Sequence, residues 1–207
     1  MKNLRLALCF TAALGAVSTP ASAVPVDLST WLAFGDTQVA STTARITTAF
    51  TDESPLAGGA VGINQLESQL NATPGALGLN AYEGSALSQN FNFAANTSLS
   101  FNWTLATDVF DAGFADLAFV LVDGTLLLPL ANVTAAALSG AFNYTFGAGS
   151  HTLAFGVVDV NDVTGVSTLN VSNLNLGAVS SAVPEPGSLA LMLAGLGLLS
   201  LRAQRRE

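Results

Sequence analysis

Between Val24 and Ala182 the sequence contains no lysine, no cysteine, one arginine (Arg45) and one histidine (His151). Each scarcity removes a class of chemistry. Without cysteine there is no disulfide, no thiolate nucleophile and no cysteine-based metal site. One histidine cannot build a paired-histidine zinc centre. A Ser-His-Asp hydrolase would have to use His151, yet no G-x-S-x-G turn occurs in the chain. His151 follows the turn "GAGS" and opens an apolar stretch, which reads as a strand-end residue capping a loop rather than a general base. Twelve acids against one base give this region a net charge of −11, more acidic than the −8 of the whole chain. Such a body repels nucleic acid and anionic lipid surfaces.

What is abundant is apolar and alternating. Eleven phenylalanines and two tryptophans lie in the same region, enough for one domain with a substantial core. In "SALSQNFNF" Leu87, Gln89, Phe91 and Phe93 share one face, and in "LSFNWTL" so do Leu99, Phe101, Trp103 and Leu105. "FNYTF" aligns Phe142, Tyr144 and Phe146, "TLAFGVV" aligns Leu153, Phe155 and Val157, and "STLNVSNL" alternates Leu169 and Val171 with polar residues. Period-two patterning with polar opposite faces marks antiparallel sheets packed on one side. "ADLAFVLVDG", apolar on both faces, reads as a more central strand. "VGINQLESQLNA" places Ile63, Leu66 and Leu70 at helical spacing ahead of Pro74, predicting one short helix. The expected fold class is all-β: a two-sheet antiparallel sandwich, jelly-roll-like, with one short helix and an unassigned strand order.

The two ends differ from the body. Lys2 and Arg5, an apolar stretch from Leu6 to Val17 and the small residues Ala21-Ser22-Ala23 form a secretory signal peptide over 1–23, cut by signal peptidase after Ala23. Cys9, the only cysteine, falls inside it. At the other end, Val183-Pro184-Glu185-Pro186 leads into fifteen uncharged residues, Gly187 to Leu201, followed by Arg202, Arg205 and Arg206. As a helix those fifteen span roughly 22 Å, short of a ~30 Å hydrocarbon core. The arginines would stay on the cytoplasmic side. The expectation is a C-terminal segment over 183–207 in which Glu185 and the two prolines precede a single, marginal, cleavable membrane-spanning helix, leaving 24–182 as the acidic domain.

The order Val-Pro-Glu-Pro, apolar segment, basic tail, together with the signal peptide, resembles the PEP-CTERM family of bacterial exported proteins. The resemblance implies a sorting signal processed near the motif by an exosortase, a membrane enzyme of bacteria that make exopolysaccharide. It implies export across the inner membrane, a transient anchor, and a final place at the cell surface or in the extracellular matrix. The runs "YEGSALSQNFNF", "TSLSFNWTLATD", "FADLAFVLVDG" and "HTLAFGVVDVNDVTG" are similar to those of β-sandwich members of that family, as are Trp31, "GD" and "ARITTAF" near the start. That likeness implies a β-sandwich associated with the biofilm matrix and able to bind sugar.

No cofactor is required by anything in the sequence, but two acidic loops are candidate calcium ligands. "TDVFDAGFAD" carries Asp108, Asp111 and Asp116, and "DVNDVTG" carries Asp159, Asn161 and Asp162. Calcium takes six to eight oxygens, which inter-strand loops can supply, although the EF-hand pattern is absent. The ordinary alternative is solvated aspartates capping turns. Six N-x-S/T triplets, at Asn71, Asn96, Asn102, Asn132, Asn143 and Asn170, read as polar outer-face residues. Trp31, outside the alternating strands, is the expected exposed aromatic and a candidate glycan contact; Trp103 is expected in the core. Two readings of function stand: a non-enzymatic surface or matrix protein associated with exopolysaccharide, or a carbohydrate-binding module with a specific glycan. A glycoside hydrolase is the remote third, since no carboxylate pair is singled out.

Overall fold

The computed structural model describes residues 23–50, 56, 58–178 and 194–195. Residues 22–179 form one compact unit. Its strands are β1 (Val24–Pro25), β2 (Leu32–Phe34), β3 (Asp36–Val39), β4 (Thr43–Thr47), β5 (Val61–Gly62), β6 (Ala81–Phe93), β7 (Thr97–Thr107), β8 (Leu117–Val122), β9 (Leu126–Asn132), β10 (Leu138–Phe146), β11 (Gly149–Val160) and β12 (Ser167–Ala178), with helix α1 over Ile63–Gln69.

Two six-stranded sheets result, and every strand pair is antiparallel. The first runs β10-β7-β12-β4-β3, with β1 on the end of β12 that β4 leaves uncovered. The second runs β2-β6-β11-β8-β9, with β5 continuing beside β6. From β6 onward the chain passes repeatedly from one sheet to the other. The two-sheet antiparallel sandwich read from the alternation is the fold observed.

The alternating residues meet between the sheets. Leu87, Leu99, Phe101, Leu105, Phe146, Leu153, Phe155, Val157, Leu169 and Val171 form one buried cluster, with Phe91, Phe93, Trp103, Phe142 and Tyr144 packed against it. Burying each large apolar side chain contributes about 1.5–3 kcal/mol relative to exposure. The second sheet is buried on its other face as well. There Ala86, Phe119, Leu121, Ala154 and Val158 join Leu66, Leu70 and Leu77 in a second cluster. This is why residues 117–122 of "ADLAFVLVDG" are apolar on both faces: Ala118, Val120 and Val122 face the first sheet, while Phe119 and Leu121 face α1.

Helix α1 is two turns long, too short to persist alone in water. Leu66 and Leu70 anchor it on the sheet. Glu67, itself buried, ties down the chain that follows, accepting from the Gly75 amide at 2.9 Å and the Leu77 amide at 3.0 Å.

Candidate functional site

Trp31 is not exposed. It ends a 3-10 turn over Leu28–Thr30, capped by Asp27, and is 5% exposed. Its indole packs edge-on to Phe91 at 5.8 Å and against Phe155 at 4.9 Å between ring centroids. The expectation that it forms a glycan platform is therefore corrected. A large aromatic outside the alternating strands is still drawn inward where a short turn folds back over the core. Trp103, on the inward face of β7, is only half-buried.

The two acidic loops do not close around one point. Asp108 accepts from the Val166 amide of the facing loop at 2.7 Å, and Asp111 accepts from the Gly113 amide within its own turn at 2.9 Å, both exposed. Asn161 takes a left-handed turn conformation (φ 71°) and donates its amide to the Asn80 carbonyl. Asp162 is near enough to Asp116 to repel it. The six-residue calcium set is thus dispersed: Asp108 is bonded to Val166 of the facing loop, Asp111 to its own turn and Asn161 to Asn80. Among the described residues no three carboxylate, imidazole or thiol groups are placed to share a metal ion.

Asp116 and Asp159 do come together. Asp159 continues the inward face of Leu153, Phe155 and Val157, and Asp116 the inward face of Ala118, Val120 and Val122. Both reach the end of the inter-sheet core, where Glu83, Thr48 and Ser167 are also buried. Asp116 accepts from the Ser167 hydroxyl at 2.5 Å and the Val160 amide at 3.2 Å. Thr48 Oγ1 accepts from the Ser167 amide at 3.0 Å, which leaves its own hydrogen free to point elsewhere. Neither oxygen of Asp159, 1% exposed, has a hydrogen-bond partner in ordinary geometry among the described residues. Desolvation, then repulsion from Asp116, pushes the Asp159 carboxyl up to about 9. Desolvation raises Asp116 as well, despite the Ser167 hydroxyl. Glu83 belongs to no motif in the sequence, yet it shares the parity of Leu87, Phe91 and Phe93. Extending the alternation four residues upstream places it inward.

A second polar locus lies beside α1. Asn71, Asn90, Asn92, Ser150, His151 and Thr152 contribute to an open cleft of about 510 Å³, floored in part by Leu70 and Phe91. The Asp123–Gly124 turn lies in the three-residue connection from β8 to β9, both residues left-handed with φ of 52° and 66°, and the Thr125 amide donates back to the Val122 carbonyl. Asp123 accepts from the Thr152 amide at 2.8 Å and from His151 Nδ1 at 2.9 Å, the ring being the donor because a carboxylate only accepts. Desolvation alone would raise the Asp123 carboxyl; these two hydrogen bonds outweigh it and hold it below its usual value. The other ring nitrogen, Nε2, is buried without a hydrogen-bond partner among the described residues, beside Phe146 and Phe93. His151 thus presents no free nitrogen to the cleft.

The outer face of the first sheet is a third surface. Across β10, β7 and β12, register rows such as Ser139–Thr104–Asn170 and Asn143–Ser100–Asn175 align short polar side chains. Asn170 donates to Thr104 Oγ1 at 3.2 Å. Arg45 borders a depression of about 450 Å³ with Gln38, Thr43, Asn170 and Ser172. Three of the N-x-S/T asparagines, Asn102, Asn143 and Asn170, lie in these rows.

A two-layer antiparallel sandwich, acidic and without cysteine between Val24 and Ala182, is the class of protein these observations define. Residues 182–206 match the PEP-CTERM protein-sorting motif, so the chain carries a signal for exosortase-dependent export. Val183, Pro184, Glu185, Pro186, Arg202, Arg205 and Arg206 lie outside the described residues, as does the expected signal peptide but for Ala23. Among the described residues no helix is long and apolar enough to cross a membrane. No curated protein matches the chain. Among solved structures, the N-terminal cellulose-binding domain of β-1,4-glucanase C from Cellulomonas fimi is similar at 12% identity and TM-score 0.35, over 73% of this chain and 90% of its own. TmCBM61 in complex with β-1,4-galactotriose is similar at 14% identity and TM-score 0.35, over 72% and 89%. The C-terminal CBM6 of a laminarinase from Zobellia galactanivorans is similar at 13% identity and TM-score 0.31, over 73% and 99%.

Proposed function

We propose that this chain is a non-enzymatic surface or matrix protein, delivered by its sorting signal and held among exopolysaccharide by an uncharged, hydrogen-bonding surface. The observation that carries the reading is the outer face of β10, β7 and β12, where serine, threonine and asparagine stand in rows without an aromatic ring. Such a face makes many weak, interchangeable contacts with hydroxyl-rich polymer and selects no single sugar. The commitment of His151 Nδ1 to Asp123 and the burial of Nε2 support a role without general-base chemistry.

The cleft beside α1 favours a second reading, a carbohydrate-binding module with a defined ligand. Concave sites with a few convergent polar groups are where small ligands bind. One titration separates the two. Full-length protein is titrated with the producing organism's own exopolysaccharide, with and without calcium. Retention that never saturates and is unchanged by Asn90→Ala supports the matrix reading. Saturable binding weakened at least tenfold by Asn90→Ala overturns it in favour of the module.

A further inference from the structure

The buried aspartate pair at the end of the inter-sheet core has no cationic side chain beside it among the described residues. Asp116 and Asp159 are each no more than 4% exposed. Arg45 faces the outer side of the first sheet, and His151 is bonded to Asp123. Taking an uncompensated carboxylate out of water carries a penalty of several kcal/mol, which a protein relieves with a cation, a proton or hydrogen bonds. Hydrogen bonds serve Asp116 through Ser167 and Val160. They serve Asp159 poorly: its two oxygens are both buried and make no hydrogen bond of ordinary geometry among the described residues, although the Thr48 hydroxyl and the Asp116 carboxyl stand close to it. That side chain is aimed at Asp116, at the start of the neighbouring strand of its own sheet, and at the hydroxyl of Thr48, which follows β4 of the other sheet.

We propose that Asp116 and Asp159, joined by the Thr48 hydroxyl, hold one calcium ion that pins the two sheets together. Every donor there is a hard oxygen, with no nitrogen or sulfur, which suits calcium or magnesium and not zinc or copper. Two free oxygens on one carboxylate suit bidentate capture by calcium, which tolerates irregular shells of mixed carboxylate, hydroxyl, carbonyl and water oxygens. Asp108, Asp111, Asn161 and Asp162 take no part. The ion lies apart from both surfaces considered for glycan contact, so its binding does not depend on which of them is used.

The test uses full-length protein purified in detergent and calcium chloride alone as the ligand. Isothermal titration should give one calcium per chain. Scanning calorimetry should show the sandwich melting roughly 5–10 °C higher at a calcium concentration a hundred times the dissociation constant than in chelator. Asp159→Asn should abolish both responses, while Asp111→Asn, at an exposed cap, should keep them. Asp116→Asn, whose amide oxygen can still accept from Val160, gives a second variant should the first fold poorly. Absence of stoichiometric binding overturns the proposal. So does a calcium response that survives in the Asp159 and Asp116 variants, which would put the ion elsewhere.

Discussion

Gly140 lies beneath the indole of Trp103: the two are register partners on β10 and β7, and a Cβ on Gly140 would stand 2.6 Å from Trp103 Cζ2. The ring occupies the space that a side chain would need. Gly140→Ala should therefore destabilise the sandwich by about 1–3 kcal/mol through overpacking. Calorimetry should show a fall of roughly 2–4 °C per kcal/mol, and Trp103 fluorescence should shift to the red as the ring is pushed outward. An unchanged melting point would mean that the ring moves freely aside.

Asp159 makes stability depend on pH in a definite direction. Its folded-state value, about 9, lies above its ordinary 3.8. The folded state thus binds the extra proton, and the stability linked to it is complete below the ordinary value and is lost as pH rises through about 9. With calcium chelated, the protein should melt at a lower temperature at pH 9 than at pH 5. Asp159→Asn should flatten that slope and raise the melting point at pH 8 by roughly 2–10 °C, equivalent to ~1–3 kcal/mol. A slope unaffected by the substitution would place its origin elsewhere.

Asp123 works with the opposite sign. Its carboxyl is held below the usual value, so its contribution is present above the ordinary carboxylate value and is lost as pH falls through the folded one. Asp123→Ala removes the acceptor for Thr152 and His151 and puts alanine at a φ of 52°. It should lower stability by about 1–3 kcal/mol at pH 7. In pH-dependent chemical denaturation the gap to the wild type should narrow below about pH 4. Asp123→Asn, which tolerates the left-handed turn, should lose less.

The sorting signal can be separated from the body. Glu185→Ala, or loss of the exosortase, should leave uncut precursor in the membrane fraction of the producing cells, at least tenfold above wild type by immunoblot. Normal processing in both backgrounds would contradict the assignment of residues 182–206 as a working signal.

Alternation alone makes the sheets legible in the sequence, because a strand with one buried face must repeat every two residues. It also distinguishes β8, whose apolar residues on both parities anticipate burial between sheet and helix. Pairing order is not legible, since β7 lies between β10 and β12 through contacts that span dozens of residues. Trp31 escapes the same reading for a related reason: a side chain in a short turn has no periodicity to report its direction. The acidic cluster is half legible. Asp116 and Asp159 stand out as turn aspartates, but their meeting depends on two strands ending at the same depth. Glu83 is recoverable by counting parity back from Leu87.

The first and last strands of the sandwich lie side by side, with Val24 opposite Leu176. Polypeptide therefore enters and leaves the body at a single point, like a purse drawn closed at its mouth. No strand must be threaded past either end, so the sandwich can close completely while the chain on both sides is still held. For a chain that carries a sorting signal outside this body, folding of the body and processing of the ends are separable events.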